Sequence, residues 1–161
     1  MPRRRTPRHR LICVIIQRAG FDDAARIARI HARSWFAGFA PIFGQELAGK
    51  AAAIRCSVEI WQSRLMRNAN LLVSEHGFVQ YVDAEIQRLY VEPEAWGGGL
   101  AGTLVAHALD EMAERPIVWS AQTEQAQRFY AKCGFSPTGG VRTVELLDGV
   151  MATDTELQHN R

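Results

Sequence analysis

What this sequence has little of narrows it first. It holds three cysteines, Cys13, Cys56 and Cys133, an odd number with no C-x-x-C spacing. That argues against a disulfide framework or a zinc site and for reduced thiols packed in a core. No apolar run approaches the ~18 residues that a membrane span needs. The opening "MPRRRTPRHRLICVIIQR" imitates a secretory signal, but its apolar stretch at residues 11–16 is shorter than the ~7–15 residues required, and no small-residue cleavage site follows. The chain reads as cytoplasmic, with no membrane partner. Acid is missing from the first ten residues, which hold five of the 19 Lys and Arg. The rest carries 14 basic against 17 acidic residues, a net −3, so the overall +2 belongs to a basic arm at residues 1–10. No aromatic interleaves those arginines, so bases would find no stacking platform there. The arm reads as a disordered, solvated tail, and nucleic acid is not an expected partner. Residues 11–161 suffice for a single domain with a proper core.

Periodicity supplies the elements. Residues 11–18 form a β-branched run that reads as a strand. Asp22 is placed to cap a helix whose Ile27, His31 and Trp35 recur at four-residue spacing, and Gly38, Pro41 and Gly44 are expected to break it. Residues 45–67 read as one further helix with Ile54, Val58, Trp61 and Leu65 on a stripe. Strands follow at 71–75, 78–82 and 84–91, then a helix at 100–113, a strand at 117–121, and a helix at 123–134 that stops at Gly134. Two last strands, "VRTVELL" and "VMATDTELQ", flank Asp148-Gly149, a strong two-residue hairpin signal. This order implies one mixed sheet with helices on its faces.

The stretch "VEPEAWGGGLAGTL" satisfies G-x-G-x-x-G through Gly97, Gly99 and Gly102. A dinucleotide fold requires that motif directly after the first strand, with an acid about 20 residues later. Here five residues intervene, the motif lies in the second half of the chain, and "IVWSAQ" occupies the acid's place. A nicotinamide oxidoreductase is thereby nearly excluded. Thr103 stands where a Walker A loop needs lysine, so that reading fails too. What survives is physical: glycines ahead of a helix let backbone N–H groups converge on an anion at the positive end of the helix dipole.

The segment "LYVEPEAWGGGLAGTLVAHAL" resembles motif A of the GNAT superfamily of acyl-CoA-dependent N-acyltransferases: L-Y-V-x-P, then Q/R-x-x-G-x-G/A, then a helix. Trp96 stands at the Q/R place, Gly99 at the glycine and Ala101 at the final small residue. "TEQAQRFYAKCGF" is similar to the family's motif B, N-x-x-A-x-x-F-Y-x-x-x-G-F, with Ala126, Phe129, Tyr130, Gly134 and Phe135 in register. "QRAGFDDAARIARIHARSW" looks like the family's first strand and helix, so the resemblance covers about residues 11–158. Three departures stand out. Trp96 replaces a polar residue, Thr123 replaces the motif B asparagine, and the two strands before motif A are compressed into residues 71–82.

The resemblance implies a mixed α/β fold with a central, mostly antiparallel sheet and helices on both faces. It implies acetyl-CoA as co-substrate, no metal, and direct transfer of the acetyl group to a primary amine on a small molecule or peptide. Homodimerisation is left open. The coenzyme would lie on Leu89, Tyr90 and Val91 along its pantetheine, on Trp96, Gly97, Gly98, Gly99, Leu100, Ala101 and Gly102 at its pyrophosphate, and against Thr123 and Tyr130. An alkylamine near pKa ~10 must lose a proton before it attacks. The oxyanion needs a donor, which the N–H groups near Tyr90 and Val91 would supply, and the leaving thiolate benefits from an acid. Tyr130 is the candidate acid. Adjacent helix positions point about 100° apart, which argues against Phe129 and Tyr130 sharing one core. Glu85 is the candidate base, directly or through water, against the alternatives of a salt bridge to Arg88 or solvent exposure. Strand alternation puts Glu85, Gln87 and Leu89 on one face and Ile86, Arg88 and Tyr90 on the other. His31 reads as a packed histidine and Cys133 as core. Trp35, Phe36, Phe39 and Phe43 are either acceptor-pocket lining or core. The rival reading is a non-catalytic acyl-CoA-binding module.

Overall fold

A computed structural model describes residues 14–67 and 70–161. The basic arm at residues 1–10, Cys13, and the start of the strand expected at 11–18 lie outside the described residues.

Among the described residues, seven strands form one sheet in the order β1-β2-β3-β4-β5-β7-β6. They are β1 (Gln17–Arg18), β2 (Asn70–Val73), β3 (Gly77–Val82), β4 (Glu85–Val91), β5 (Ile117–Ala121), β6 (Phe135–Leu147) and β7 (Val150–His159). Five neighbouring pairs run antiparallel and only β4 and β5 run parallel. Helices α1 (Ala24–Phe43), α2 (Gln45–Arg55) and α3 (Val58–Met66) cover one face, and α4 (Leu100–Glu111) and α5 (Glu124–Lys132) the other. The expected mixed sheet with helices on both faces is the architecture found.

Four local expectations are corrected. Strand β1 is only two residues long, because Gln17 pairs with Val73, the last residue of β2. Among the described residues, 14–16 run past the end of β2 and join no strand. Helix α1 continues through Gly38 and Pro41 to Phe43 and stops only at Gly44, whose φ of +88° closes it. Trp35, Phe39 and Phe43 stack along it with centroids 4.3 and 5.9 Å apart, and this burial outweighs the one hydrogen bond Pro41 cannot give. Its entry is held by Asp23 rather than Asp22: the Gly20 N–H donates to Asp23 Oδ2 at 2.9 Å. The helix expected at 45–67 is two helices, since Ser57 caps α3 by accepting from the Ile60 N–H. The break rotates Ile54 into solvent while Trp61 is fully buried.

The hairpin signal is borne out. Leu147 pairs with Val150 across Asp148 and Gly149, whose φ values of +49° and +77° are both positive, as a two-residue turn of this hand requires. Compression of residues 71–82 shortens β2 to four residues without removing a strand.

Candidate active site

The site begins at the one parallel pair. β4 and β5 are joined only at Glu85↔Ile117 and Ile86↔Val118. Beyond them the strands separate, so residues 87–91 of β4 face the gap unpaired while β5 stays paired to β7 along its whole length. A strand edge of this kind offers a fixed row of N–H and C=O groups to an extended amide-bearing ligand.

The glycine loop stands at the open end of this gap. Pro93–Ala95 make one turn of 3-10 helix after β4, and the Trp96 indole N–H then donates to the Val91 carbonyl at 2.7 Å. The aromatic residue at the polar position of the motif thus ties the loop back to the strand end, with about half of the residue left exposed. Gly97 and Gly99 adopt φ of +78° and +85°, a conformation that only glycine takes without strain. The ladder of α4 starts with Thr103 N–H to Gly99 O, so the N–H groups of Leu100, Ala101 and Gly102 have no partner within the helix. A Cβ built at Gly97, Gly99 or Gly102 meets no atom within 4 Å. The loop therefore combines converging donors with open space, which is what a phosphate requires.

Leu89 and Val91 turn their side chains into the core beneath α4, leaving their backbone to the gap. Tyr90 points the other way, toward α1, where its ring lies 4.5 Å from that of His31. Its side chain thus lies on the opposite face of β4 from those of Leu89 and Val91. Thr123 caps α5, accepting from the Ala126 N–H at 3.2 Å. Its oxygen is engaged, and its hydroxyl hydrogen remains to donate.

Tyr130 is half-buried on α5, edge-on to Phe129 at 5.0 Å and to Phe135 at 5.7 Å. Phe129 and Tyr130 both pack against the core under α4, against the argument from their angular separation. That core is broad enough to underlie both sides of a nine-residue helix. Burial pushes the Tyr130 phenol well above its ordinary value, and the neighbouring Tyr90 and Cys133 add to the rise. The hydroxyl therefore stays protonated across the working pH range.

Glu85 needs a correction of face. Val79 pairs with Leu89 and Gln80 with Arg88, but Tyr81 pairs with Ile86, so β4 carries one extra residue, Gln87, as a bulge. The bulge reverses the alternation. Ile86 joins Leu89 and Val91 in the core beneath α4, and Glu85 joins Arg88 and Tyr90 on the face toward α1. Among the described residues Glu85 has no salt-bridge partner. Arg88 instead donates to Gln80 Oε1 at 3.0 Å.

The remaining sequence candidates resolve as core. His31 is buried, and its Nδ1 accepts from the Trp61 indole N–H at 3.3 Å, which places the proton on Nε2. Burial, followed by the charges of Arg88, Arg64 and Arg55, lowers its pKa to about 3. Trp35, Phe39 and Phe43 fill the space between α1 and the β6–β7 turn, with Phe36 turned outward. Cys133 is packed under α4 and α5, and burial raises its thiol pKa.

Two clusters were not visible in the sequence. Beside the loop, Glu92 is almost fully buried and binds Arg29 Nε at 2.9 Å and His76 Nδ1 at 2.8 Å, with Arg33 bridging it to Glu94. Burial raises its carboxyl, but the hydrogen bonds from His76 and Arg29 outweigh this and hold it below the ordinary value. His76, Glu92 and Glu94 offer metal-type ligand atoms within 4.8 Å of one another, and two guanidinium groups already answer their charge. The second group is Arg55, Arg64 and Arg88, whose charges all bear on the buried His31 on the α1 side. Each comes from a different element, so no local motif announces it.

The model of the acetyltransferase (GNAT) family matches residues 29–135. This chain belongs to that family. A peptidyl-lysine N-acetyltransferase of Escherichia coli strain K12, YjaB, is 36% identical over 63 residues, 39% of this chain. That match spans 43% of the relative's own length. The PaiA N-acetyltransferase of Thermoplasma acidophilum, solved with coenzyme A, superposes with a TM-score of 0.72 at 20% identity, covering 91% of this chain and 98% of that one. The solution structure of apo YjaB gives a TM-score of 0.68 at 24% identity, over 91% and 97%. These neighbours share the GNAT fold. The family match takes in the whole of β4, the glycine loop, β5 and α5, and so both strands that border the gap. No helix among the described residues is long and apolar enough to cross a membrane.

Proposed function

We propose that this protein transfers an acetyl group from acetyl-CoA to a primary amine on a small molecule or peptide. The observation that carries the reading is the unpaired edge of β4 running into a glycine turn with free N–H groups. Pantetheine amides would pair with residues 87–91, and the pyrophosphate would sit on the N–H groups of Leu100, Ala101 and Gly102. The coenzyme A complex of the Thermoplasma neighbour supports this choice of co-substrate.

In the reaction the neutral amine attacks the thioester carbonyl, a C–N bond forms, and the oxyanion is met by backbone N–H near Tyr90 and Val91. Collapse breaks the C–S bond. Tyr130, kept as a phenol by burial, donates to the departing sulfur. The proton lost by the amine leaves through Glu85. Four residues of strand separate Glu85 from Leu89, about 13 Å at ~3.3 Å per residue, so a water relay rather than direct contact is required. Tyr130 is reprotonated from solvent, and the products are the amide and the free thiol of coenzyme A.

The test is a thermal-shift screen with acetyl-CoA, longer acyl-CoAs and NAD, followed by an amine panel read by thiol release. At 100 times Kd, acetyl-CoA should add about 2.7 kcal/mol of apparent stability. No shift with any acyl-CoA would remove the reading. A shift with no thiol release from any amine would favour the binding module.

A further inference from the structure

We infer that the amine acceptor carries a carboxylate, received by Arg64 and Arg88 on the α1 side of the gap. The inference rests on the acetyltransferase reading above and names the substrate class of that site.

Arg55, Arg64 and Arg88 come from α2, α3 and β4 and border one packed group: Trp61, which Arg64 covers, donates to His31, and His31 lies 4.5 Å from the ring of Tyr90, two residues after Arg88 on the same face of β4. The charges of all three bear on His31, and Arg64 is lowered to about 10 by burial and by the charge of Arg88. Their bonding is uneven. Arg55 is committed to the Glu145 and Leu146 carbonyls at 2.6 and 2.8 Å. Arg88 uses one nitrogen on Gln80. Arg64 lies over the Trp61 ring, 4.7 Å from its centroid, and its Nη1 is buried with no hydrogen-bond partner.

No carboxylate among the described residues pairs with any of the three. Asp154 is held by Arg142 at 3.2 Å. The ionisable groups they surround supply no counter-charge: burial raises Cys56 to about 11 and Tyr90 to about 12, so both stay neutral. Elsewhere the fold pairs its converging arginines, as Arg29 and Arg33 share Glu92. An unmet buried N–H is destabilising, and like charges add to that. An incoming anion removes both penalties at once.

Position fixes what the anion belongs to. Arg88 is the residue before Leu89 on β4, and the bulge turns it with Glu85 and Tyr90 toward α1, away from the core beneath α4. The coenzyme's phosphates are accounted for by the glycine loop at the other end of the strand. A planar guanidinium with a free edge matches a carboxylate in two parallel bonds. The amine would then lie toward the gap and the carboxylate toward α3, as in an amino acid or a short peptide.

The experiment compares amino acids with their carboxamides, and aminomethylphosphonate with glycine, in thiol-release kinetics on wild-type enzyme and on Arg64→Met and Arg88→Gln. Expected is a kcat/KM preference for the carboxylate over its amide of on the order of 10–100-fold. It should arise in KM and collapse toward unity in either variant, while the acetyl-CoA-induced thermal shift is unchanged. Wild-type selectivity decides even if a variant fails to fold. Equal turnover of acid and amide, or preference for the amide, overturns the inference while leaving the acetyltransferase reading intact. Preference for the phosphonate over the carboxylate overturns the carboxylate assignment. Absence of an acetyl-CoA shift would instead strike at the acetyltransferase reading itself.

Discussion

Trp96 donates its indole N–H to the Val91 carbonyl at 2.7 Å, and so fastens the glycine loop to the last residue of β4. The contact takes one strand-end carbonyl out of circulation and sets where the loop begins. Trp96→Phe keeps a ring and removes the donor. Stability should drop by about 1 kcal/mol. Acetyl-CoA should bind several-fold more weakly, because the loop must then be ordered on binding. Calorimetric Kd values for both proteins check this; equal affinities would mean that the loop holds its shape without the bond.

Gly102 allows folding and binding to be separated. It sits in the first turn of α4 without a positive φ, and a Cβ there meets nothing within 4 Å. Gly102→Ala should therefore stabilise the free protein by about 0.5–1 kcal/mol, the helix-interior advantage of alanine. Acetyl-CoA affinity should fall, since the methyl occupies space left for phosphate. A rise in Tm with unchanged affinity would place the phosphate elsewhere. Gly99→Glu is the harsher version, adding strain at φ +85° and a negative charge.

Tyr130→Phe removes a hydroxyl and keeps the packing against Phe129 and Phe135. As the acid for the thiolate, Tyr130 should be worth about 10²–10⁴ in kcat, with acetyl-CoA affinity nearly constant. The defect should shrink with acyl donors whose thiols are more acidic. Undiminished kcat on every donor would assign the proton to water.

Glu85→Gln should lower kcat/KM while leaving acetyl-CoA Kd unchanged. An unchanged kcat/KM would return Glu85 to a structural role at the closed end of the gap.

His31 should make the fold acid-sensitive. Its folded-state pKa of about 3 lies below the ordinary 6.5. The unfolded chain therefore takes up a proton that the folded one refuses. Stability present above pH 6.5 is lost progressively as the pH falls from there toward 3. By pH 4.5 the loss from this group is roughly 2–3 kcal/mol, at 1.36 kcal/mol per unit. His31→Gln keeps an acceptor for Trp61 but does not titrate, so its urea midpoint should fall less between pH 7 and 4.5 than that of wild type. Parallel losses in the two proteins would show that other groups set the acid limit.

The parts of the site that are local in the chain were readable from the chain. The glycine turn before α4, the α5 segment from Thr123 to the stop at Gly134, and the Asp148-Gly149 turn each follow from a few adjacent residues. Ser57 was a cap signal inside what looked like one helix, and the apolar stripe from Ile54 to Leu65 masked it. Pro41 looked like a terminator because the stacking of Trp35, Phe39 and Phe43 that outweighs it depends on a surface built by β6 and β7. The bulge at Gln87 has no side-chain signature, since it is a matter of how β3 and β4 come into register. It alone decides which way Glu85 faces. The arginine cluster joins α2, α3 and β4, and proximity of that kind is written only in three dimensions.

The gap between β4 and β5 also divides the sheet mechanically. Four strands lie on one side and three on the other, hinged along two residue pairs at one end. In this state the two plates share little backbone bonding, and the amides of residues 87–91 lack a strand partner on the β5 side. A ligand whose own amides span the opening acts as a missing eighth strand. It would turn two plates into one continuous sheet and couple vibrations and slow opening across the whole width. Deuterium uptake at residues far from the ligand, on β7 and β2 alike, would then register whether the slot is filled.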